Sequence, residues 1–215
     1  MISISDLENI YNIRAPRALV WQPHLAAATA QSEINTPLRI AHFIAQIGHE
    51  SGRLVFVKEI WNPAQIAAQK SYEGAARLGN TEPGDGERFM GRGLVQITGR
   101  KNYQTVSDAL GVDFIVQPRL LERPDYAALS AAWFWHTGAG LNLGRRALIA
   151  LLKYDMGAGV NLNDLADQDD LETITLCING GLNGYVDRCK LYDRAKTILL
   201  PTPPVIPAQA RIQQS

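Results

Sequence analysis

The stretch Gly91-Arg92-Gly93-Leu94-Val95-Gln96-Ile97-Thr98-Gly99-Arg100-Lys101-Asn102-Tyr103 decides how the rest of the chain is read. Its glycines permit bent backbone and close approach of a ligand. In an extended strand successive side chains alternate, so Leu94, Gln96 and Thr98 share one face and Val95 and Ile97 take the other. Asn102 and Tyr103 follow the bend at Gly99. The strip then offers amide, hydroxyl, amide and phenol groups, the neutral donors and acceptors that suit a sugar. The competing reading is a short polar hairpin with no ligand. Either way, one small β element is expected in a chain otherwise dominated by helical spacing.

Working outward, Asn35-Thr36-Pro37 is a helix start, with Thr36 as N-cap and Pro37 at the first helical position. Leu38, Ala41, Ile44, Ala45 and Gly48 then recur at helical spacing. This helix, residues 36–50, delivers His49 and Glu50 at its end, before a break at Gly52. Partial burial of Glu50 against an apolar surface favours the protonated carboxyl that a general acid needs. Glu59 follows nine residues later, in Val57-Lys58-Glu59-Ile60-Trp61-Asn62. Two carboxylates flanking a sugar-binding strip are the minimum equipment for glycoside hydrolysis: one protonates the leaving oxygen, the other activates water or attacks. Glu73, in Ser71-Tyr72-Glu73-Gly74, rivals Glu59 for the second role. Each glutamate alone also reads as a solvated surface carboxylate.

Taken in order, several short pieces resemble glycoside hydrolase family 19, of the phage and bacterial endolysin type. They are Gly48-His49-Glu50-Ser51, Lys58-Glu59-Ile60-Trp61, Pro83-Gly84-Asp85-Gly86, the Gly91–Arg100 strip, Ile178-Asn179-Gly180-Gly181 and Gly184-Tyr185-Val186-Asp187-Arg188. The resemblance runs from about residue 36 to residue 198. It implies a lysozyme-like fold of two lobes, mainly α, with a small β-hairpin or sheet lining the cleft. It implies Glu50 as general acid, Glu59 as general base and Thr98 as the residue holding the water, with inversion at the anomeric carbon. Inverting pairs stand about 6.5–9.5 Å apart and retaining pairs about 5–5.5 Å. It implies that Gln96 and Asn102 bind sugar or position water and that Asn179 and Arg188 support the cleft; beside these, Tyr103 of the strip is read as a sugar contact, and His49, next to Glu50, as orienting the acid, packing locally or joining the substrate-binding residues. Glu73 matches the wider carboxylate spacing of the plant chitinases, so both base candidates stay open here.

Composition fits a compact enzyme: 215 residues, 46% hydrophobic, with formal net charge +0. A balanced charge provides no general attraction to nucleic acid. Arg145-Arg146 and Arg188–Lys190 could still form local basic patches. The four histidines, His24, His42, His49 and His136, match no metal-ligand spacing, so neither a metal nor a cofactor is expected. Cys177 and Cys189 read as free thiols. The N-terminal Met1–Glu8 lacks a basic start and an apolar run, so no signal peptide is expected, and no segment approaches the ~20 apolar residues of a membrane span. A wall-degrading enzyme would then sit in the host bacterial cytoplasm until a separate pore-forming protein released it.

The remaining elements are helices at 5–12, 17–31, near 63–78, 102–110, from Pro124 through Trp133-Phe134-Trp135, 145–153, from Asp169 or Asp170 to Ile178, and 184–199. Turns are expected at Gly79-Asn80, at Pro83–Gly86, around Gly138, Gly140 and Gly144, and at Gly157–Gly159. The aromatic run at 133–135 reads as core. Residues 1–200 form one catalytic domain. The Pro-containing tail 201–215 has no periodic pattern and reads as disordered. The leading functional expectation is a monomeric muramidase-type endolysin acting on the β-1,4 bonds of peptidoglycan during phage lysis. A chitinase, a non-catalytic glycan binder on the same scaffold, and an antibacterial effector are the alternatives.

Overall fold

The computed structural model describes residues 1–60, 70–139, 145–154 and 159–200. The expected disordered tail, the turns at Gly140 to Gly144 and before Gly159, and residues 63–69 of the helix expected near 63–78 lie outside the described residues; beyond residue 70 that expected helix is instead turns and a 3₁₀ segment.

The chain is mainly helical. Helix α1 spans Ile4–Tyr11, α2 Ala15–Gln31 and α3 Pro37–Glu50. Ser3 and Asp6 form a reciprocal cap on α1, and Thr36 Oγ1 accepts the Arg39 N–H at 3.1 Å to open α3. A short α4 (Asp85–Arg88) stands where the sequence predicts a turn, and a single 3₁₀ turn covers Ala76–Leu78. Then follow α5 (Arg100–Leu110), a 3₁₀ segment Pro118–Glu122, α6 (Pro124–Thr137), α7 (Arg145–Leu151), α8 (Leu162–Asp167), α9 (Leu171–Asn179) and α10 (Tyr185–Leu199). Gly111 and Gly138 end α5 and α6 in the left-handed conformation. Asp170, rather than Asp169, caps α9, accepting the Thr173 N–H at 2.9 Å. No described helix is long and apolar enough to cross a membrane.

Helix α3 is more central than a one-sided apolar stripe implies, since every residue from Ile40 to Gly48 is buried. It packs chiefly against α10, while α2 packs on α6. At Gly48 the ring of Tyr11 comes so close that a Cβ would lie 2.4 Å from it, and the Tyr11 hydroxyl donates to the Ile44 carbonyl at 2.7 Å. Phe43 and Trp135 meet edge to face at 5.5 Å in the main core. The Trp135 indole donates to Asn163 Oδ1 at 2.9 Å, and Asn163 Nδ2 donates to the Ser32 carbonyl at 3.0 Å. That pair of bonds anchors α8, a helix too short for its pattern to stand out in the sequence.

A second, smaller core gathers Phe89, Ile97, Tyr103, Val106, Phe114 and Leu121. Val95 packs against both cores. Glu50 therefore ends a helix of the first core, whereas Glu59 pairs with the backbone that enters the second.

A polar cluster joins α3 to α10. His42, fully buried, faces the Asp169 carboxylate at 3.1 Å and stacks on Tyr192 with ring centroids 4.2 Å apart. Tyr192 and Lys196 also donate to Asp169. Burial outweighs the Asp169 contact and holds the His42 imidazole at about 4, against the usual 6.5. Between those two values the unfolded chain binds a proton that the folded one does not. Stability is thus fully present above about 6.5 and falls as pH drops towards about 4, by about 3 kcal/mol from this residue. Urea unfolding followed by tryptophan fluorescence at stepped pH checks this. The slope across that window should flatten in His42→Gln, and an unchanged slope would assign the pH dependence elsewhere.

Candidate active site

Glu50 closes α3, and its setting is fixed by α10. Arg188, 0% exposed, donates one guanidinium nitrogen to Glu50 Oε1 and another to Gln46 Oε1. Gln46 in turn donates to Thr175 Oγ1 at 2.9 Å. Arg188 therefore acts through Glu50 from behind the cleft surface, as a support of the cleft and not, fully buried as it is, as a direct substrate contact. The Glu50 side chain keeps 20% of its surface open. The expected apolar setting for Glu50 is corrected, because a cation is in direct contact with the carboxyl.

The turn after α3 is built by Ser51, whose hydroxyl donates to the Ile47 carbonyl at 2.6 Å and accepts the Leu54 N–H at 2.9 Å. His49 points away from that turn. Its Nδ1 meets Asp187 Oδ2 at 2.8 Å, and a Cβ on Gly184 would lie 2.1 Å from its ring. Burial raises the Asp187 carboxyl, but Arg53 and His49 together hold it below the ordinary range. His49 is thus wedged between α3 and α10 as a positioning group.

Glu59 is placed by Gly91. The Glu59 N–H donates to the Gly91 carbonyl at 2.8 Å, and the Gly91 N–H returns to Glu59 Oε2 at 3.3 Å. The Tyr72 hydroxyl approaches Oε1 at 3.4 Å. A Cβ on Gly91 would lie 2.8 Å from Gln96 Oε1 and 3.3 Å from Thr98 Oγ1. Glu59, Gln96 and Thr98 consequently converge on one glycine.

The strip itself is not a strand. Among the described residues the β contacts here are two isolated bridges, Lys58 with Arg92 and Arg92 with Ile97. Between the bridge positions the chain turns sharply at 93–96, and Gln96 takes a positive φ of 54°. The expected hairpin or sheet is therefore reduced to a tight turn, and Leu94 is buried rather than sharing a face with Gln96 and Thr98. Gln96 Nε2 donates to the Gly93 carbonyl at 2.9 Å, Thr98 Oγ1 to the Gln96 carbonyl at 2.9 Å and Asn102 Nδ2 to the Thr98 carbonyl at 2.8 Å. Those bonds hold the three side chains along one cavity of about 140 Å³, whose other walls include Leu78, Thr105 and Trp133.

Tyr103 does not join that cavity. It is 0% exposed. Its hydroxyl accepts from Arg92 at 2.9 Å and donates to the Met90 carbonyl at 2.7 Å, and burial pushes it up to about 12 against the pull of Arg92. The expectation that Tyr103 binds sugar is corrected: it ties the strip to the second core. Glu73 is likewise committed, its two oxygens accepting the Gly84 and Gly86 N–H groups at 2.7 and 2.8 Å. Asp85, almost fully buried, forms a two-pronged pair with Arg100 at 2.8 and 2.5 Å. Asn80 accepts the Arg100 N–H at 2.8 Å, supplying from a distance the cap that Gly99 lacks. Asn179 ends α9, half-buried, ahead of a left-handed Gly180.

The family model for class I chitinases of glycoside hydrolase family 19 matches residues 22–194. The chain belongs to glycoside hydrolase family 19. A glycosyl hydrolase family 19 domain-containing protein of Haemophilus influenzae is 33% identical over 179 residues, covering 71% of this chain and 76% of that protein. The acidic 27 kDa endochitinase of Solanum lycopersicum is 30% identical over 175 residues, 76% of this chain and 64% of the plant protein. The chain thus spans less than two thirds of that plant relative. Among solved structures, a bacterial family 19 chitinase superposes with TM-score 0.66 at 22% identity, over 94% of this chain and 96% of that one. Chitinase C of Streptomyces griseus gives TM-score 0.66 at 20% identity, over 94% and 79%. At these identities the likeness is one of fold.

Within this family 19 domain, sequence reasoning misses Trp133, Gln46 and Asp187. A helix turns about 100° per residue, so a run of three aromatics cannot all face one way. Trp135 is buried in the main core, whereas half-buried Trp133 and buried Phe134 line the cavity. Which of the three faces outward depends on what α6 packs against. Gln46 stands in none of the short motifs, and Asp187 stands in one without a role of its own; what each does comes from the α3–α10 contact.

Proposed function

We propose that this glycoside hydrolase cuts β-1,4 bonds of bacterial peptidoglycan by inversion, as a lysis enzyme released to the wall by a separate pore-forming protein. The convergence of Glu59, Gln96 and Thr98 on Gly91 carries the catalytic reading, because it sets a carboxylate beside neutral groups able to hold water and sugar. Glu50, a carboxylate paired with Arg188 in the free enzyme, takes up a proton with the substrate and gives it to the glycosidic oxygen as the bond from the anomeric carbon breaks. The carboxylate it becomes is stabilised at once by the Arg188 guanidinium already on Oε1, which leaves Oε2 to carry the proton. Glu59 takes a proton from the water attacking the opposite face, with Thr98 and Gln96 orienting that water. Solvent then takes the proton from Glu59 and supplies the next one to Glu50. Trp133 gives a flat apolar wall beside Asn102, suited to the face of a sugar ring.

A chitinase is the second reading, favoured by the endochitinase relatives in plants. Digestion of purified peptidoglycan and of a soluble chitin oligomer, with products identified by mass spectrometry, separates the two. New reducing-end N-acetylmuramic acid is expected. Efficient chitin cleavage with intact peptidoglycan would overturn the substrate assignment, and no cleavage of either would favour a glycan binder.

Thr98→Val should lower the rate by about 10–100-fold, within the range for a group that places a reactant. The lost hydroxyl bond to Gln96 should cost only about 1 kcal/mol of stability. Initial rates set beside urea midpoints test this, with Thr98→Ser restoring most of the rate. A variant that unfolds but works normally when folded would make the hydroxyl structural.

A further inference from the structure

Beyond the cavity at Thr98, the surface around Glu59 opens into a groove of a different chemistry. Its first part, about 550 Å³, is bounded by Glu59, Lys58, Glu87 and Met90 among others. Lys58, Glu87 and Met90 continue into a second part of about 310 Å³, which adds Arg88 and Arg119. Arg88, Pro118 and Arg119 are shared in turn with a third part of about 580 Å³ that reaches Arg123. The shared walls make one groove leading away from the proposed base.

Lys58, Arg88, Arg119 and Arg123 are all exposed along it. Arg123 pairs with Asp125 at 2.6 Å, and Arg92 beneath the floor pairs with Glu122 at 2.7 Å. Lys58, Arg88 and Arg119 have no ion-pair partner among the described residues; Arg88 spends one nitrogen on the Ile115 carbonyl at 2.9 Å. Facing these three cations, the groove walls carry Glu87 and the catalytic candidate Glu59. The chain as a whole is neutral, so this excess is local. A neutral sugar is served by amides and hydroxyls of the kind gathered at Gln96, Thr98 and Asn102. A row of unmatched cations suits carboxylates instead.

We infer that this groove binds the carboxylate-bearing peptide stems attached to the glycan strand, holding the strand in register while its sugar bond lies at Glu50 and Glu59. The inference rests on the peptidoglycan reading above and supplies what chitin, which has no charged side groups, could not use. It makes Arg119 a specificity residue at a distance from the bond cut.

The test compares initial rates on soluble glycan strands whose cross-links an endopeptidase has cut, so that free stems remain, and on the same strands stripped of stems by an amidase. At low salt the wild type should cut stem-bearing material about tenfold faster, and that preference should shrink as added salt screens the charges. Arg119→Glu should abolish the preference and Arg119→Gln should reduce it, both at an exposed position where folding is little affected. The same preference in wild type and Arg119→Glu would overturn the inference. Should the wild type cut chitin oligomers but neither strand preparation, the peptidoglycan reading fails by itself. Retention of the intact protein on beads carrying each kind of strand, which needs no turnover, then decides the groove. Stem-dependent, salt-sensitive retention upholds it, and equal retention overturns it.

Discussion

Glu50→Gln should lower glycan turnover by about 10³-fold, inside the range of about 10²–10⁴ that a positioned general acid supplies, and should also destabilise the fold. The second effect follows from Arg188. Its guanidinium is fully buried and has two acceptors, the neutral Gln46 amide and the Glu50 carboxylate. The amide of Gln keeps an acceptor in place but removes the negative charge on that guanidinium, whose Nε is already without a partner. Breaking a buried pair from one side costs about 3–5 kcal/mol, and retention of the acceptor places this case at about 3 kcal/mol. The double variant Glu50→Gln with Arg188→Met removes both charges. It should recover much of the stability while turnover stays lost, since the proton donor is still missing. Urea midpoints and reducing-end rates on all the variants complete the cycle. A Glu50→Gln protein that turns over near the wild-type rate would remove Glu50 from the acid role. One that is as stable as the wild type would show that the Arg188 charge is compensated elsewhere.

Glu59→Gln and Glu73→Gln should fail in opposite ways. Glu59 makes only long contacts, 3.3 Å from the Gly91 N–H and 3.4 Å from the Tyr72 hydroxyl, so the amide should cost less than about 1 kcal/mol. As the proposed base, its loss should cost about 10²–10³ in rate. Glu73 accepts two backbone N–H groups with two oxygens. Gln has one oxygen, so one N–H at Gly84 or Gly86 would face an amide NH₂ group. That should cost about 1–3 kcal/mol, while the rate per folded molecule stays within about threefold. Chemical denaturation and single-turnover rates on the two variants discriminate the roles. Equal rate losses would leave the base unassigned, and a reversed pattern would move it to Glu73.

The helices are largely legible in the amino-acid sequence. Thr36-Pro37 opens α3 where the capping signal places it, and Gly111 and Gly138 stop α5 and α6. Such signals are local: a cap or a left-handed glycine acts within one turn of its own position. The strip at 91–99 reads as a strand because alternation alone cannot separate a strand from a turn when glycines punctuate it. Two bridges to Arg92 and a positive φ at Gln96 make it a turn. Gln96, Thr98 and Asn102 line one cavity even so.

The same limit applies to the polar residues picked out as candidates. Tyr103, Arg188 and Glu73 stand in the same kind of short motif as Glu50, Thr98 and Asn102, and nothing in their spacing separates those that build the site from those that line it. Burial and hydrogen bonding separate them, and both depend on which elements pack together.

By itself the amino-acid sequence determined the helical class, the positions of the two glutamates nine residues apart and the gathering of Gln96, Thr98 and Asn102 in one short strip. These follow from local propensity and from covalent order. Only the tertiary structure decided that Arg188 of α10 reaches Glu50 of α3, that Glu73 is spent on backbone N–H groups, and that Lys58, Arg88 and Arg119 share one groove. The Arg188–Glu50 pair joins residues 138 positions apart in the chain. Contacts of that kind form only when separate elements bury their apolar faces together, so no local pattern announces them.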